Sequence, residues 1–140
     1  MKPVLRTILV FLTILSVNTA LKSQNAEPIN TRYIEIKNIE TFFIFSNNEY
    51  SDLVNFELYN IYKEESSKPV FTAVNELKNV HKFTIKSDSE TYENQRTCFL
   101  SVNKDNHLAT LRQVLLKMNV THIKTEAGFI EIDKYFSQIL

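Results

Sequence analysis

The chain has 140 residues, 44% of them hydrophobic and 23% charged, and a single glycine, Gly128. At an average usage of about 7%, roughly ten glycines are expected, so a glycine-rich phosphate loop, a dinucleotide fingerprint and a Gly-x-Ser-x-Gly nucleophile elbow are excluded. The 16 basic and 16 acidic residues balance, and the basic ones do not form the clustered face that a nucleic-acid footprint requires.

The N-terminus carries the clearest signal. Lys2 and Arg6 precede an uncharged apolar run from Thr7 to Val17, and Asn18, Thr19, Ala20 and Lys22 then turn the chain polar. This layout predicts a secretory signal peptide over residues 1–23, with Ala20 and Ser23 as candidate cleavage positions. The run is shorter than the roughly 20 apolar residues of a membrane span, and an uncleaved anchor is the alternative. Cleavage leaves an exported domain, periplasmic or secreted, of about 115 residues, enough for one modest core and without membrane attachment. Lys2, Arg6 and Lys22 leave with the signal and no acid does, so 16 basic residues become 13 against 16 acidic, a net charge of −3.

Residues 24–52 read as a lead-in followed by strands. Asn25 to Asn30 is polar and contains Pro28. Thr31 to Lys37 alternates as a strand does. Thr41 to Ser46 (TFFIFS) is predicted as a strand with Phe42 and Ile44 on one face and Phe43 and Phe45 on the other, covered on both sides. Asn47 to Asp52 is predicted as a loop. Val54 to Tyr62 is read as a strand, because Val54, Phe56 and Leu58 alternate with Asn55 and Glu57.

A charged connection, Lys63 to Lys68, leads to Pro69, which suits a helix first turn. Val70, Ala73, Val74 and Leu77 then recur at helical spacing up to Lys78-Asn79. His81 to Ser87 is a strand with His81, Phe83 and Ile85 facing one way and Lys82, Thr84 and Lys86 the other. Asp88 to Gln95 is a polar hairpin loop, and Arg96 to Val102 is the next strand. A second helix, capped by Asp105 or Asn106, carries the stripe Leu108, Leu111, Leu115 and Met118. Thr121 to Thr125 and Phe129 to Asp133 form a C-terminal hairpin around Glu126-Ala127-Gly128, and Lys134 to Leu140 is a short amphipathic tail.

The two helix exits match, VNELKNV at Val74 to Val80 and VLLKMNV at Val114 to Val120. In each, asparagine stands where the left-handed conformation usually calls for glycine. From residue 53 to 140 the order is strand, helix, strand, strand, helix, strand and hairpin. It predicts an α+β class with a ferredoxin-like split βαβ unit, an antiparallel sheet carrying two helices on one face, beside the extra N-terminal strands.

The segments FTAVNELKNVHKFTIK and TCFLSVNKDNHLATLRQVLLKMNVTHIK, with the strand from Val54, carry a pattern that resembles the heavy-metal-associated (HMA-like) domain over about half the chain. The resemblance implies a ferredoxin-like fold. That family holds its metal with a Cys-x-x-Cys after the first strand. The corresponding stretch here, Tyr62 to Pro69, has no cysteine, so no ligand carries over.

No catalytic motif is present, and neither a catalytic residue nor a cofactor is predicted. Convergent thiol and imidazole ligands define soft-metal sites. The candidates are Cys98, His81, His107 and His122, without a recognisable ligand spacing. Cys98 cannot form an internal disulfide because it is the only cysteine, and its alternation with Leu100 and Val102 reads as a buried thiol. The surplus aromatics Tyr33, Phe42, Phe43 and Phe45 either bury the second face of the sheet or form a patch for a protein partner or a homodimer. The expected function is therefore that of an exported non-enzymatic domain acting by protein–protein contact. The alternative is a metal-binding or metal-sensing relative of the HMA-like domain.

Overall fold

The computed structural model describes residues 31–45, 50–62, 69–86 and 94–140. The segments predicted as signal peptide and lead-in, the connection at Lys63 to Lys68, half of the predicted loop at Asn47 to Asp52 and most of that at Asp88 to Gln95 lie outside them. The strands are β1 (Arg32–Glu35), β2 (Ile44–Phe45), β3 (Ser51–Tyr59), β4 (Val80–Ile85), β5 (Gln95–Asn103), β6 (Val120–Thr125) and β7 (Gly128–Glu131). The helices are α1 (Ile39–Phe42), α2 (Pro69–Thr72), α3 (His107–Lys117) and α4 (Ile132–Ser137), with 3-10 turns at Ala73–Glu76 and Lys104–Asn106. Among the described residues no helix is long and apolar enough to cross a membrane.

The fold is α+β around one mixed sheet in the order β4-β5-β3-β1-β6-β7, with β2 also paired to β3. The long hairpin-like pairs β3–β5 and β4–β5 are antiparallel, as expected. The departure from an antiparallel sheet is β1. It runs antiparallel to β3, with Ile34 opposite Leu58, and parallel to β6, with Ile34 opposite Ile123. The reason lies in its side chains. Tyr33 and Ile34 are buried on opposite faces, and Ile36 follows them inward. A strand apolar on both faces is stable only where both are covered, which places β1 between β3 and β6 rather than at an edge.

The predicted strand at Thr41 to Ser46 is instead a helical turn followed by a short strand. Asn38 caps α1 by accepting from the Glu40 amide at 2.8 Å, as asparagine does at helix starts. At the other end Phe43 returns to extended backbone (φ −88, ψ 129). A continuous strand would send Phe42 and Phe43 to opposite faces. The turn lets both reach one interior: Phe43 is buried, and the Phe42 ring lies 5.9 Å from Phe43 and 6.4 Å from Phe56.

One hydrophobic cluster takes its residues from alternate positions of the strands, Val54, Phe56 and Leu58 on β3 and Cys98, Leu100 and Val102 on β5. α3 contributes Leu111, Val114 and Leu115, with Met118 just beyond its end, and α4 contributes Ile132 and Phe136. Burying each such side chain is worth about 1.5–3 kcal/mol. Arg32 ties the cluster's margin together. Its guanidinium donates to the Met118 carbonyl at 2.9 Å and lies 5.5 Å from the Phe71 ring centre, placing a cation at the C-terminal end of α3.

The helix predicted from Pro69 to Lys78-Asn79 is shorter than its spacing suggests. After one α turn it tightens to 3-10, and Leu77 goes extended (φ −68, ψ 136). Asn75 in that turn faces β4: its Nδ2 donates to the Phe83 carbonyl at 3.0 Å, and its Oδ1 accepts from the Phe83 amide at 2.7 Å. The side chain thus pairs like one residue of a neighbouring strand along an edge that is otherwise open to association. Asn79 (φ 71) and Asn119 (φ 59) both adopt the left-handed conformation predicted for the helix exits. Gly128 (φ 119) closes the β6–β7 hairpin, where Thr125 Oγ1 donates to its carbonyl at 3.0 Å.

Candidate interaction surface

Strand alternation that sends Val54, Phe56, Leu58, Cys98, Leu100 and Val102 inward turns their neighbours to the other face of the sheet. On that face Leu53 and Phe99 remain 40% and 41% exposed. Leu53 pairs with Ser101, and Phe99 pairs with Asn55 on one side and Thr84 on the other. Leu53 and Phe99 are therefore diagonal neighbours, within the reach of long side chains. Together they line a groove of about 400 Å³, with Asn55, Lys82, Thr84 and Ser101 around them. The groove is lined entirely by residues of β3, β4 and β5.

The same face changes character along β3. Glu57 accepts hydrogen bonds from Gln95 Nε2 at 3.1 Å and from Thr97 Oγ1 at 2.8 Å. Beyond it Tyr33 and Tyr59 stack with centroids 4.6 Å apart, and the Phe129 edge meets Tyr33 at 5.0 Å.

Of the four aromatics expected to offer a patch, Tyr33 and Phe43 are 6% and 4% exposed, and Phe42 packs against the core. Phe42 and Phe43 belong to the interior, whereas Tyr33 lies on the other face of the sheet, where the Tyr59 and Phe129 rings cover it. The Phe45 side chain lies outside the described part of the structure. The exposed pair Leu53 and Phe99 went unmarked in the sequence reading. The signal is present for Phe99, which has the opposite parity to Cys98 and Leu100, but Leu53 falls between the predicted loop, ending at Asp52, and the predicted strand, starting at Val54, whereas β3 begins at Ser51.

The four candidate metal ligands are dispersed. Cys98 is fully buried, 4.0 Å from the Arg96 carbonyl, and burial, aided by the nearby Glu57 carboxylate, pushes its thiol pKa far above the ordinary range. Such a thiol is a poor nucleophile and a poor ligand. Ile85 rather than His81 stands opposite Cys98, and exposed His81 falls at a register shift between Val80 and Lys82. His122 Nδ1 lies 2.9 Å from Thr121 Oγ1. His107 opens α3, with its ring edge against Phe43 at 4.6 Å. Among the described residues no group of three His, Cys, Asp or Glu side chains converges as a metal site would require.

His107 does meet a residue that the sequence reading passed over. Asp52 is wholly buried on β3, and its Oδ2 lies 3.3 Å from His107 Nδ1. The contact lacks hydrogen-bond alignment, and neither carboxylate oxygen has a hydrogen-bond partner among the described residues. The Nδ1 is also 2.7 Å from the Lys104 carbonyl. Both neighbours are acceptors when Asp52 is ionised, which assigns the proton to Nδ1.

Comparison with protein-family models, with curated proteins and with solved structures finds no match for this chain.

Proposed function

We propose that the chain is an exported, non-enzymatic α+β domain that acts by protein–protein contact through the open face of its sheet. The observation that carries this reading is the pair Leu53 and Phe99, both about two-fifths exposed and lining one groove. A sheet face that meets only water alternates cleanly to polar residues; this face departs from that rule at Tyr33, Tyr59 and Phe129, whose rings cover one another, and at Leu53 and Phe99, which stay exposed as contact surfaces do. Export rests on the N-terminal segment, with its basic start and apolar run. We read the frame as a ferredoxin-like split βαβ unit, α2 and α3 on one face, into which β1 inserts between β3 and β6. The HMA-like resemblance applies to that frame alone, because the stretch after β3 carries no Cys-x-x-Cys.

The test is light scattering and affinity capture with the wild-type protein and a Leu53→Ser/Phe99→Ser variant. The expected result is self-association or a saturable partner for the wild type, lost in the variant while its melting temperature stays within a few degrees. A monomer at every concentration that retains no partner refutes the reading.

A further inference from the structure

Resting on the reading of this face as a protein-contact surface, we infer that the groove between Leu53 and Phe99 takes an acidic peptide segment with one large apolar anchor residue. The shape selects a segment over a small molecule. Small ligands bind with most of their surface enclosed, whereas this groove stands about half open to solvent on the face of three adjacent strands. A polypeptide lying across the face inserts one side chain between Leu53 and Phe99 and covers the remainder with its backbone.

The charge of the lining selects the sign. Lys82 is the charged residue lining the groove, beside the hydroxyls of Thr84 and Ser101 and the amide of Asn55. Lys86 follows beyond the end of β4 at the same parity, so Lys82, Thr84 and Lys86 share the open face. β4 itself, VHKFTI, has no acidic residue. Among the described residues neither lysine is held in an ion pair, whereas Glu57, the acid that β3 places on this face two strands away, is engaged by Gln95 and Thr97. An aspartate or glutamate flanking the anchor would meet Lys82 and Lys86, and the hydroxyls and amide would donate to its backbone carbonyls.

The experiment is selection from a random peptide library displayed on phage, using the purified protein, followed by affinity measurement on the enriched peptides. The expected outcome is enrichment of Asp and Glu around an aromatic or large aliphatic residue. Binding should weaken with added salt and fall about tenfold or more in a Lys82→Glu/Lys86→Glu variant, and the Leu53→Ser/Phe99→Ser variant should lose it as well. Neutral or basic peptides that ignore the charge reversal but need Leu53 and Phe99 overturn the acidic segment and leave the contact surface standing. Acidic peptides indifferent to both variants overturn the site, and the absence of any enrichment overturns the inference. Both variants are exposed-face substitutions, and their urea midpoints separate lost binding from lost folding.

Discussion

Asp52 and His107 join β3 to the start of α3: the carboxylate is fully buried, and its Oδ2 stands 3.3 Å from the imidazole Nδ1. The His107 side chain is about one-third exposed, so the pair has one dry member and one partly wet one. Removing the partner of a buried charge is more damaging than removing the charge. His107→Leu keeps an apolar contact with Phe43 yet leaves Asp52 without a counter-group, and a loss of about 1–3 kcal/mol is expected. Adding Asp52→Asn to that variant should restore part of the loss. Urea unfolding of the two singles and the double checks this, and a strictly additive cycle would show that the residues do not interact.

Asn75 makes a different prediction. Its amide pairs with both backbone groups of Phe83 on edge strand β4. Asn75→Ala exposes that edge, with a stability loss of about 1–2 kcal/mol and a greater tendency to associate. Asn75→Asp keeps an acceptor for the Phe83 amide but sets a carboxylate against the Phe83 carbonyl, and it should be no better than alanine. Urea midpoints and concentration-dependent light scattering measure the two effects.

Asn79 and Asn119 test the local side of the fold. Both hold φ near +60 to +70 at helix exits. Glycine at either position should be tolerated, because it adopts this conformation without steric cost. Alanine should lower stability by about 1 kcal/mol at each. Thermal unfolding distinguishes the outcomes, and alanine variants as stable as the glycine ones would argue against a conformational role.

Cys98 gives the pH dependence its sign. Burial raises its thiol pKa in the folded chain, whereas the unfolded chain ionises at the ordinary value of about 8.5. Below that value both states hold the proton and the contribution to stability is level. Above it the unfolded chain releases the proton first, so stability falls as pH rises, by at most about 1.4 kcal/mol per unit. Cys98→Val should lack this alkaline component. The native thiol should also react with a disulfide reagent only as fast as the chain opens, with the rate rising in urea.

How much of this was legible follows from the range of each interaction. The stripe Leu108, Leu111, Leu115 and Met118 specifies α3 because neighbours three and four apart meet on a helix whatever surrounds it. The asparagines at residues 79 and 119 and the turn before Gly128 are equally local, and all three stand in the structure as their residue types require. Alternation likewise marked Cys98 as inward.

What required the tertiary structure are the relations between distant segments. Thr31 to Lys37 reads as a strand from its own residues, but its place between β3 and β6 depends on Tyr33 and Ile34 both finding cover, and that cover comes from residues far along the chain. Phe42 and Phe43 look like two faces of a strand until Asn38 caps a turn that brings both inward. The burial of Asp52 and the exposure of Leu53 turn on where β3 begins, which β2 and β5 decide by pairing with it. Periodicity therefore identified the elements through local sterics, while the pairing of β1, β2 and β5 decided which aromatics fill the core and which apolar residues face outward.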